Sequence, residues 1–297
     1  MKTKTKIIAS LTLTGALAIG GLVGPVNMES KAKAASVSIL KYPIPTKEDQ
    51  IVDYLQRAMY EFYEGKKFKI ETDINAELAE QKEAKESELL QISQLNYDAL
   101  VKYKKDKKTN ESKAKQTYSK TLSSLDAETK KVKKRYEKNE ISLIKYRDDE
   151  ISKIDKNMSS NIQSARSSEL EKISRNSGKE EVNYNIKLIE GTVNKYKSEA
   201  IKLKFDSLIA QSESEWKLVK LEAARKTNEL IYQYKKGSLS ENQLKTRKNK
   251  LDESTTARQE DIQKNIESLY KGKNVDVQSL IKQKETVIAQ IKKDNNL

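Results

Sequence analysis

The sequence contains no cysteine and no histidine, and its prolines are confined to the first 45 residues. Without cysteine, disulfide bonds and lipid attachment through a thiol are excluded, so packing alone has to stabilise the fold. Without histidine, the chain lacks the side chain most used for general acid-base catalysis and for zinc binding. Ser-His-Asp triads, Cys-His dyads and the common zinc sites are therefore excluded.

Proline and glycine are scarce over most of the chain. Pro25, Pro43 and Pro45 are the only prolines, and few glycines follow them. Since proline costs about 3 kcal/mol and glycine about 1 kcal/mol inside a helix, this scarcity favours a nearly all-helical chain. The candidate interruptions between helices are Gly65, Gly178, Gly191, Gly237 and Gly272.

Long apolar runs are absent except at the N-terminus. Three lysines in the first six residues precede an uncharged, mostly apolar stretch over residues 7–23, and a polar segment ends in Ala32-Lys33-Ala34. This order is typical of a secretory signal peptide, and the long polar segment resembles those of Gram-positive bacteria. We expect residues 1–34 to be a signal peptide cleaved near Ala34, which makes the mature protein secreted. An uncleaved membrane anchor is the alternative, because the run is near the lower length limit of a spanning helix.

The chain is strongly basic, with a formal net charge of +14. Residues 1–34 hold five lysines and one glutamate, or +4, so the mature chain keeps 14 − 4 = +10. This excess favours polyanionic partners such as wall teichoic acids, anionic lipid surfaces or nucleic acid. Acidic residues are interleaved almost everywhere, however, and a mixed charged surface is also what a long solvated helix displays.

Two stretches are especially rich in basic residues. Such runs can bind phosphate groups, with an affinity that falls as salt increases. The alternative is an ordinary solvated helix face, because successive lysines on a helix point in several directions and no nucleic-acid-binding motif accompanies them. The candidate polyanion-binding residues are Lys102, Lys104, Lys105, Lys107 and Lys108 in the first stretch and Lys130, Lys131, Lys133, Lys134 and Arg135 in the second.

The apolar spacing divides the chain into long helices. After an extended arm over residues 35–45, residues 46–177 are predicted to form a first helix from Thr46 to about Gly65 and then a long coiled-coil region. That region is one helix or two joined around residues 138–140. Apolar residues from Leu122 to Tyr136 recur there in alternating steps of three and four, as in a heptad repeat.

A chain reversal is predicted at Arg175-Asn176-Ser177-Gly178, because asparagine and glycine tolerate the left-handed conformation that ends a helix. Residues 178–236 then form a returning helix with the most regular heptad pattern of the sequence, and Gly191 within it indicates a close approach of another helix. Residues 237–297 are predicted to be a C-terminal helical hairpin with two shorter helices separated by Gly272, the second capped by Asp276. The predicted fold is an elongated all-α antiparallel coiled coil or helical bundle, with a parallel oligomer left open.

The turn at Gly237 carries the best-defined local motif. Ser240 and Gln243 form a capping box, and Leu239 occupies the position of a hydrophobic staple. With Leu244, Lys248 and Leu251 behind them, residues 229–252 resemble the short helical hairpin called SHOCT. The resemblance covers about 25 of 297 residues and departs from the usual terminal placement of that motif. It implies an interaction role, such as oligomerisation.

Aromatic residues are concentrated near the start of the predicted first helix. This cluster is denser than one narrow helix face can bury, so part of it is a candidate anchor for a partner protein. The alternative is that these rings lie at the edge of the core with their hydroxyls in solvent. The candidate partner-binding residues are Tyr54, Tyr60, Phe62, Tyr63 and Phe68.

No glycine-rich phosphate loop, metal-ligand cluster or nucleophile elbow is found in the sequence, and no cofactor or catalytic residue is predicted. We therefore expect a secreted, non-enzymatic coiled-coil binding or structural protein acting at the cell wall or outer surface of a Gram-positive bacterium. Its partner is a protein, a second copy of the chain, or an anionic wall polymer. Two alternatives stay open: a secreted enzyme that uses Asp or Glu on a wall polymer, and a factor that binds a host protein.

Overall fold

The computed structural model describes residues 48–297, with side chains from Ile51 onward. In this range 94% of the residues are helical and no strand is formed, which confirms the all-α prediction. The predicted signal peptide (1–34), the extended arm (35–45) and the predicted Thr46 cap lie outside the described residues.

Four long helical stretches make up this range. A π-helical turn, Ile189–Val193, joins the third and fourth helices without a break. The helices are α1 (Glu48–Asp106), α2 (Glu111–Ser174), α3 (Lys179–Leu188), α4 (Asn194–Lys235) and α5 (Glu241–Asp294).

The predicted helix ends at Gly65 and Gly272 are wrong, because α1 and α5 run through these residues. A Cβ added at Gly65 would lie 3.3 Å from the Cβ of Leu203, so this glycine permits a close helix contact. Gly272 plays the same part opposite Phe205. Asp276, predicted to cap a separate last helix, is instead buried within α5.

Both alternatives for the long coiled-coil region, one helix or two joined around residues 138–140, are wrong. The helix α2 is continuous through 138–140, and the chain turns at residues 107–110 instead. Asn110 marks the start of α2, because its side-chain oxygen accepts a hydrogen bond from the backbone N–H of Lys113 at 3.0 Å. This is the ordinary use of asparagine as a helix N-cap. The turn lies inside the first lysine-rich stretch.

The predicted turns at Gly178 and Gly237 are confirmed, and both glycines have positive φ angles, 58° and 74°. The capping box at the second turn is formed in both directions: the Ser240 N–H donates to Gln243 Oε1, and the Gln243 N–H donates to Ser240 Oγ. The close approach predicted at Gly191 is wrong, because no atom of another helix lies within 4 Å of a Cβ placed there.

Replacing Gly237 and Gly191 with alanine should change the free energy of unfolding in opposite directions. We expect Gly237→Ala to lower the free energy of unfolding by about 1 kcal/mol, because an L side chain is strained at this positive φ. Gly191→Ala is the matched control and should be neutral or stabilise by up to about 1 kcal/mol, since alanine is the better helix former and the position is open. Urea unfolding followed by circular dichroism measures both. Changes of the same sign would contradict this assignment.

The helices pack into two compact units, each built from segments that are distant in the sequence. Of the described residues, unit 1 comprises 74–145 and 214–262, and unit 2 comprises 48–73, 146–213 and 263–297. In unit 2, α1 and α2 are antiparallel, because Tyr63 contacts Asn161 and Lys67 contacts Asp155. In unit 1, α1 and α4 run in the same direction, since Glu83 pairs with Arg225 and the Ser93 carbonyl accepts from Tyr232.

Unit 2 contains two apolar clusters. The heptad residues from Val182 to Leu203 are buried or half-buried, as predicted, and several of them join the first cluster. Unit 1 also buries polar side chains, among them Glu80 and Gln81 on α1. The first cluster includes Ile51, Leu55, Ile189, Val193 and Ile288, and the second includes Ile201, Phe205, Ile209, Leu269 and Leu280.

Candidate functional site

The helix α2 presents opposite faces of contrasting chemistry within unit 1. One face packs inward through the buried residues Ala114, Val132 and Leu143. The other face is exposed from Lys113 to Lys145, and we call it the basic stripe. It consists of the positions that share one helical face at 3.6 residues per turn. The basic residues of the stripe are Lys113, Lys120, Lys130, Lys131, Lys134, Arg135, Lys138 and Lys145.

The stripe contains no acidic residue. Between its lysines lie Gln116, Thr117, Ser123, Ser124, Ala127, Ile141 and Ser142, all of them uncharged and exposed. Acidic residues appear only on its flanks, with Asp126 and Glu137 on one side and Glu128 on the other. Basic and acidic residues alternate along the sequence, but in the helix they lie on different faces. The charged residues of the stripe are all basic, and acidic residues border it.

Some of the stripe residues have ion-pair partners. Lys130 contacts Asp126 at 2.7 Å and Lys131 contacts Glu128 at 3.4 Å, both along α2. Arg135 reaches across to Glu88 of α1, and this carboxylate raises the pKa of the Arg135 guanidinium. Within the described range, no ion pair holds the remaining stripe lysines, which are Lys113, Lys120, Lys134, Lys138 and Lys145.

The middle of the stripe forms a shallow, open depression on the helix surface, with a volume of about 640 Å³. Ala127 is the one uncharged residue of its lining. The basic side chains around it are Lys130, Lys131, Lys134, Arg135 and Lys138. Five cationic groups thus surround one exposed patch of a single helix.

The basic residues of the second predicted stretch lie on different faces of α2. Lys130, Lys131, Lys134 and Arg135 lie on the stripe, whereas Lys133 points about 120° away from its centre at 100° per residue. Lys138 and Lys145 are not among the residues predicted from the sequence. They follow Lys134 by four and eleven residues, a spacing that places all three on one helix face. The density of lysines along the sequence does not reveal this spacing.

The first predicted stretch lies at the end of the α1–α2 hairpin. Lys102, Lys104 and Lys105 are exposed on the last turns of α1, and Lys107 and Lys108 are exposed in the turn itself. The Lys107 ammonium contacts Glu111 at 2.7 Å.

This hairpin continues past the α4–α5 turn. The Tyr97 hydroxyl donates to the Lys235 carbonyl at 3.1 Å, and α1 runs on to Asp106, about 14 Å further along its axis.

The predicted aromatic anchor is mostly used inside unit 2. Tyr54 is buried in the first apolar cluster, and Tyr63 packs against that cluster. Phe62 makes edge-to-face contacts with Tyr63 and Tyr196, and Phe68 is half-buried. Tyr60 is the exposed member, at 51%. The five rings therefore do not form one exposed surface.

Burial makes two carboxyl groups less acidic than usual. Burial raises the pKa of Glu215 in unit 1 and of Asp276 in unit 2. Neither lines the depression on α2. In the described part of the chain, no group of three or more His, Cys, Asp or Glu residues could hold a metal ion. Over the same residues, no helix combines the length and the apolar character needed to cross a membrane.

Comparisons with protein-family models, with curated proteins and with solved structures gave no match for this chain. The likeness of residues 229–252 to SHOCT accordingly rests on the sequence motif alone. Its capping box is formed in the structure, as any helix start with these residues would form it.

Proposed function

We propose that the protein is a secreted, non-enzymatic helical binding protein that attaches to anionic polymer at the outer surface of a Gram-positive cell. The observation that carries this proposal is the basic stripe, an exposed face of α2 with eight cationic residues and no acidic one. Clustered charge of one sign attracts polyanions and raises their local concentration. The predicted signal peptide and the +10 charge of the mature chain support the same function.

Attachment of this kind needs no catalytic residue and no cofactor. The ammonium groups replace small counterions around the polymer, and the release of those ions drives binding. Because the ion pairs of Lys130 and Lys131 are exposed, each contributes only about 0–1 kcal/mol and can be exchanged for a phosphate contact. Binding through the stripe therefore requires only that these side chains exchange partners, with no change in the helix backbone.

The proposal is tested by incubating the mature protein, residues 35–297, with intact Gram-positive cells and with cell walls stripped of teichoic acid. The bound fraction is measured over a salt series from low to high ionic strength. We expect binding at low salt that falls steeply as salt increases and that is lost on the stripped walls. Binding that survives both treatments would point to a protein partner, and no binding at low salt would contradict the proposal.

A further inference from the structure

We infer that the ligand of the basic stripe is a single linear phosphate chain that lies along α2. The stripe holds the chain through the negative charges of its phosphate groups. This inference rests on the proposed function only in assuming that the protein meets polyanions. It goes further in naming the site, the chemical class of the ligand and its direction on the helix.

The shape of the stripe favours a linear ligand. Lys113 and Lys145 are 32 residues apart, which is about 48 Å along the helix axis. The stripe is only one helix face wide, and acidic residues border it on both sides, including Asp126 and Glu128. A flat anionic membrane would meet these borders as well as the lysines, and like charges would repel it. A single chain can follow the lysines and avoid the borders.

The chemistry of the stripe favours phosphate over base or lipid contacts. Seven of its eight basic residues are lysines, whose compact ammonium binds phosphate as a point charge. The stripe contains no aromatic residue on which a base could stack, so base identity should not matter. Ile141 is its only large apolar residue, which gives little to insert into a lipid layer.

The experiment titrates the mature protein with inorganic polyphosphate at low salt and follows binding by calorimetry. The stripe variant is Lys134→Glu, Lys138→Glu and Lys145→Glu. These lysines are exposed and have no ion pair in the described range, so the fold should be unaffected. The matched control is Lys115→Glu, Lys133→Glu and Lys250→Glu, which changes the net charge equally at exposed positions of unit 1 outside the stripe.

We expect the stripe variant to lose affinity for polyphosphate by at least about 30-fold, and its salt dependence, log K against log salt, to become shallower by about two. The control variant should lose less than about 5-fold in affinity, since it lowers only the overall positive potential of the protein. Equal losses in the two variants would overturn the assignment of the site. Circular dichroism of both variants verifies that they are folded to the same extent.

Two further probes decide the class of ligand. The first probes are two single-stranded oligonucleotides matched in charge to the polyphosphate, one with thymine as its only base and one with adenine. The two should bind the protein with the same affinity as each other. Vesicles with an anionic lipid, matched in accessible charge, should bind more weakly than polyphosphate. A strong base preference, or tighter binding to vesicles, would overturn the inference.

The two proposals fail in different ways. If wild-type protein binds cells but the stripe variant binds them equally well, the inferred site is wrong and the proposed function stands. If polyphosphate binds through the stripe while cells and walls do not bind, the site is right and the proposed function is wrong. No binding of polyphosphate at low salt would overturn the inference whatever the cells show.

Discussion

Replacing Phe205 with alanine is expected to lower the free energy of unfolding by about 3–5 kcal/mol, the usual cost of removing a fully buried aromatic side chain. Phe205 is 1% exposed and lies in the second apolar cluster of unit 2, among Ile201, Ile209 and Leu269. Removing its ring leaves a void that the surrounding helices cannot close without giving up their present contacts. Thermal and urea unfolding measure the loss.

Tyr60→Ala is the control for this substitution, because Tyr60 is aromatic, lies in the same unit and is half-exposed. Its effect should stay near or below about 1 kcal/mol. A loss at Phe205 as small as that at Tyr60 would mean that the second cluster does not stabilise unit 2.

Gly272 provides a check on the same contact. A Cβ at this position would lie 3.1 Å from Cε1 and 3.4 Å from Cζ of Phe205, so Gly272→Ala should be neutral or destabilising in the wild-type protein. Once Phe205→Ala has removed the ring, the same substitution should stabilise by up to about 1 kcal/mol, because alanine favours the helix. A double-mutant cycle with Phe205→Ala measures this reversal. Purely additive effects would contradict the close contact.

Gly272 also shows where reasoning from the sequence fails. A glycine in a helical pattern either ends the helix or admits a close neighbour, and the choice depends on what packs against it. Gly237 is followed by the Ser240–Gln243 capping box, so its turn could be predicted from local residues. Neither Gly65 nor Gly272 is followed by such a box. Their partners, Leu203 and Phe205, are far away in the sequence and could not be identified from it.

The heptad pattern is a reliable guide to burial because burial along one helix face is a local property. From Val182 to Leu203 each predicted seam residue is buried or half-buried. The turn at residues 107–110 could not be predicted from the sequence. Asn110 is a good cap, but no glycine or proline accompanies it, and the lysines around it suit a helix equally well.

The candidate site is predicted only in part for a related reason. Searching for dense runs of lysine finds Lys130 to Arg135 but includes Lys133, which points away from the others. Grouping by helical period removes Lys133 and adds Lys138 and Lys145. That grouping requires knowing that α2 is continuous to Lys145, whereas the sequence also allows a junction at residues 138–140.

Removing the carboxylate of Glu61 is expected to cost about 3 kcal/mol, because its partner is a buried charge. Lys197 is fully buried in unit 2, and its ammonium lies 2.7 Å from Glu61 Oε2 and 4.7 Å from the centre of the Tyr54 ring. Burial raises the pKa of the Tyr54 phenol, so this ring stays neutral and cannot replace the carboxylate. Urea unfolding of Glu61→Gln at neutral pH measures the effect.

Lys197→Met should be less costly than Glu61→Gln, because methionine fills a similar volume and leaves no buried charge, while Glu61 is partly exposed and can be hydrated. The control is Asp73→Asn, which breaks the exposed pair with Lys69 at 2.7 Å and should cost no more than about 0.5 kcal/mol. If Glu61→Gln proved as mild as this control, the pair would not stabilise unit 2. If Lys197→Met proved the more costly change, the lysine would act mainly through contacts other than its ion pair with Glu61, such as the packing of its stem and its cation–π contact with Tyr54.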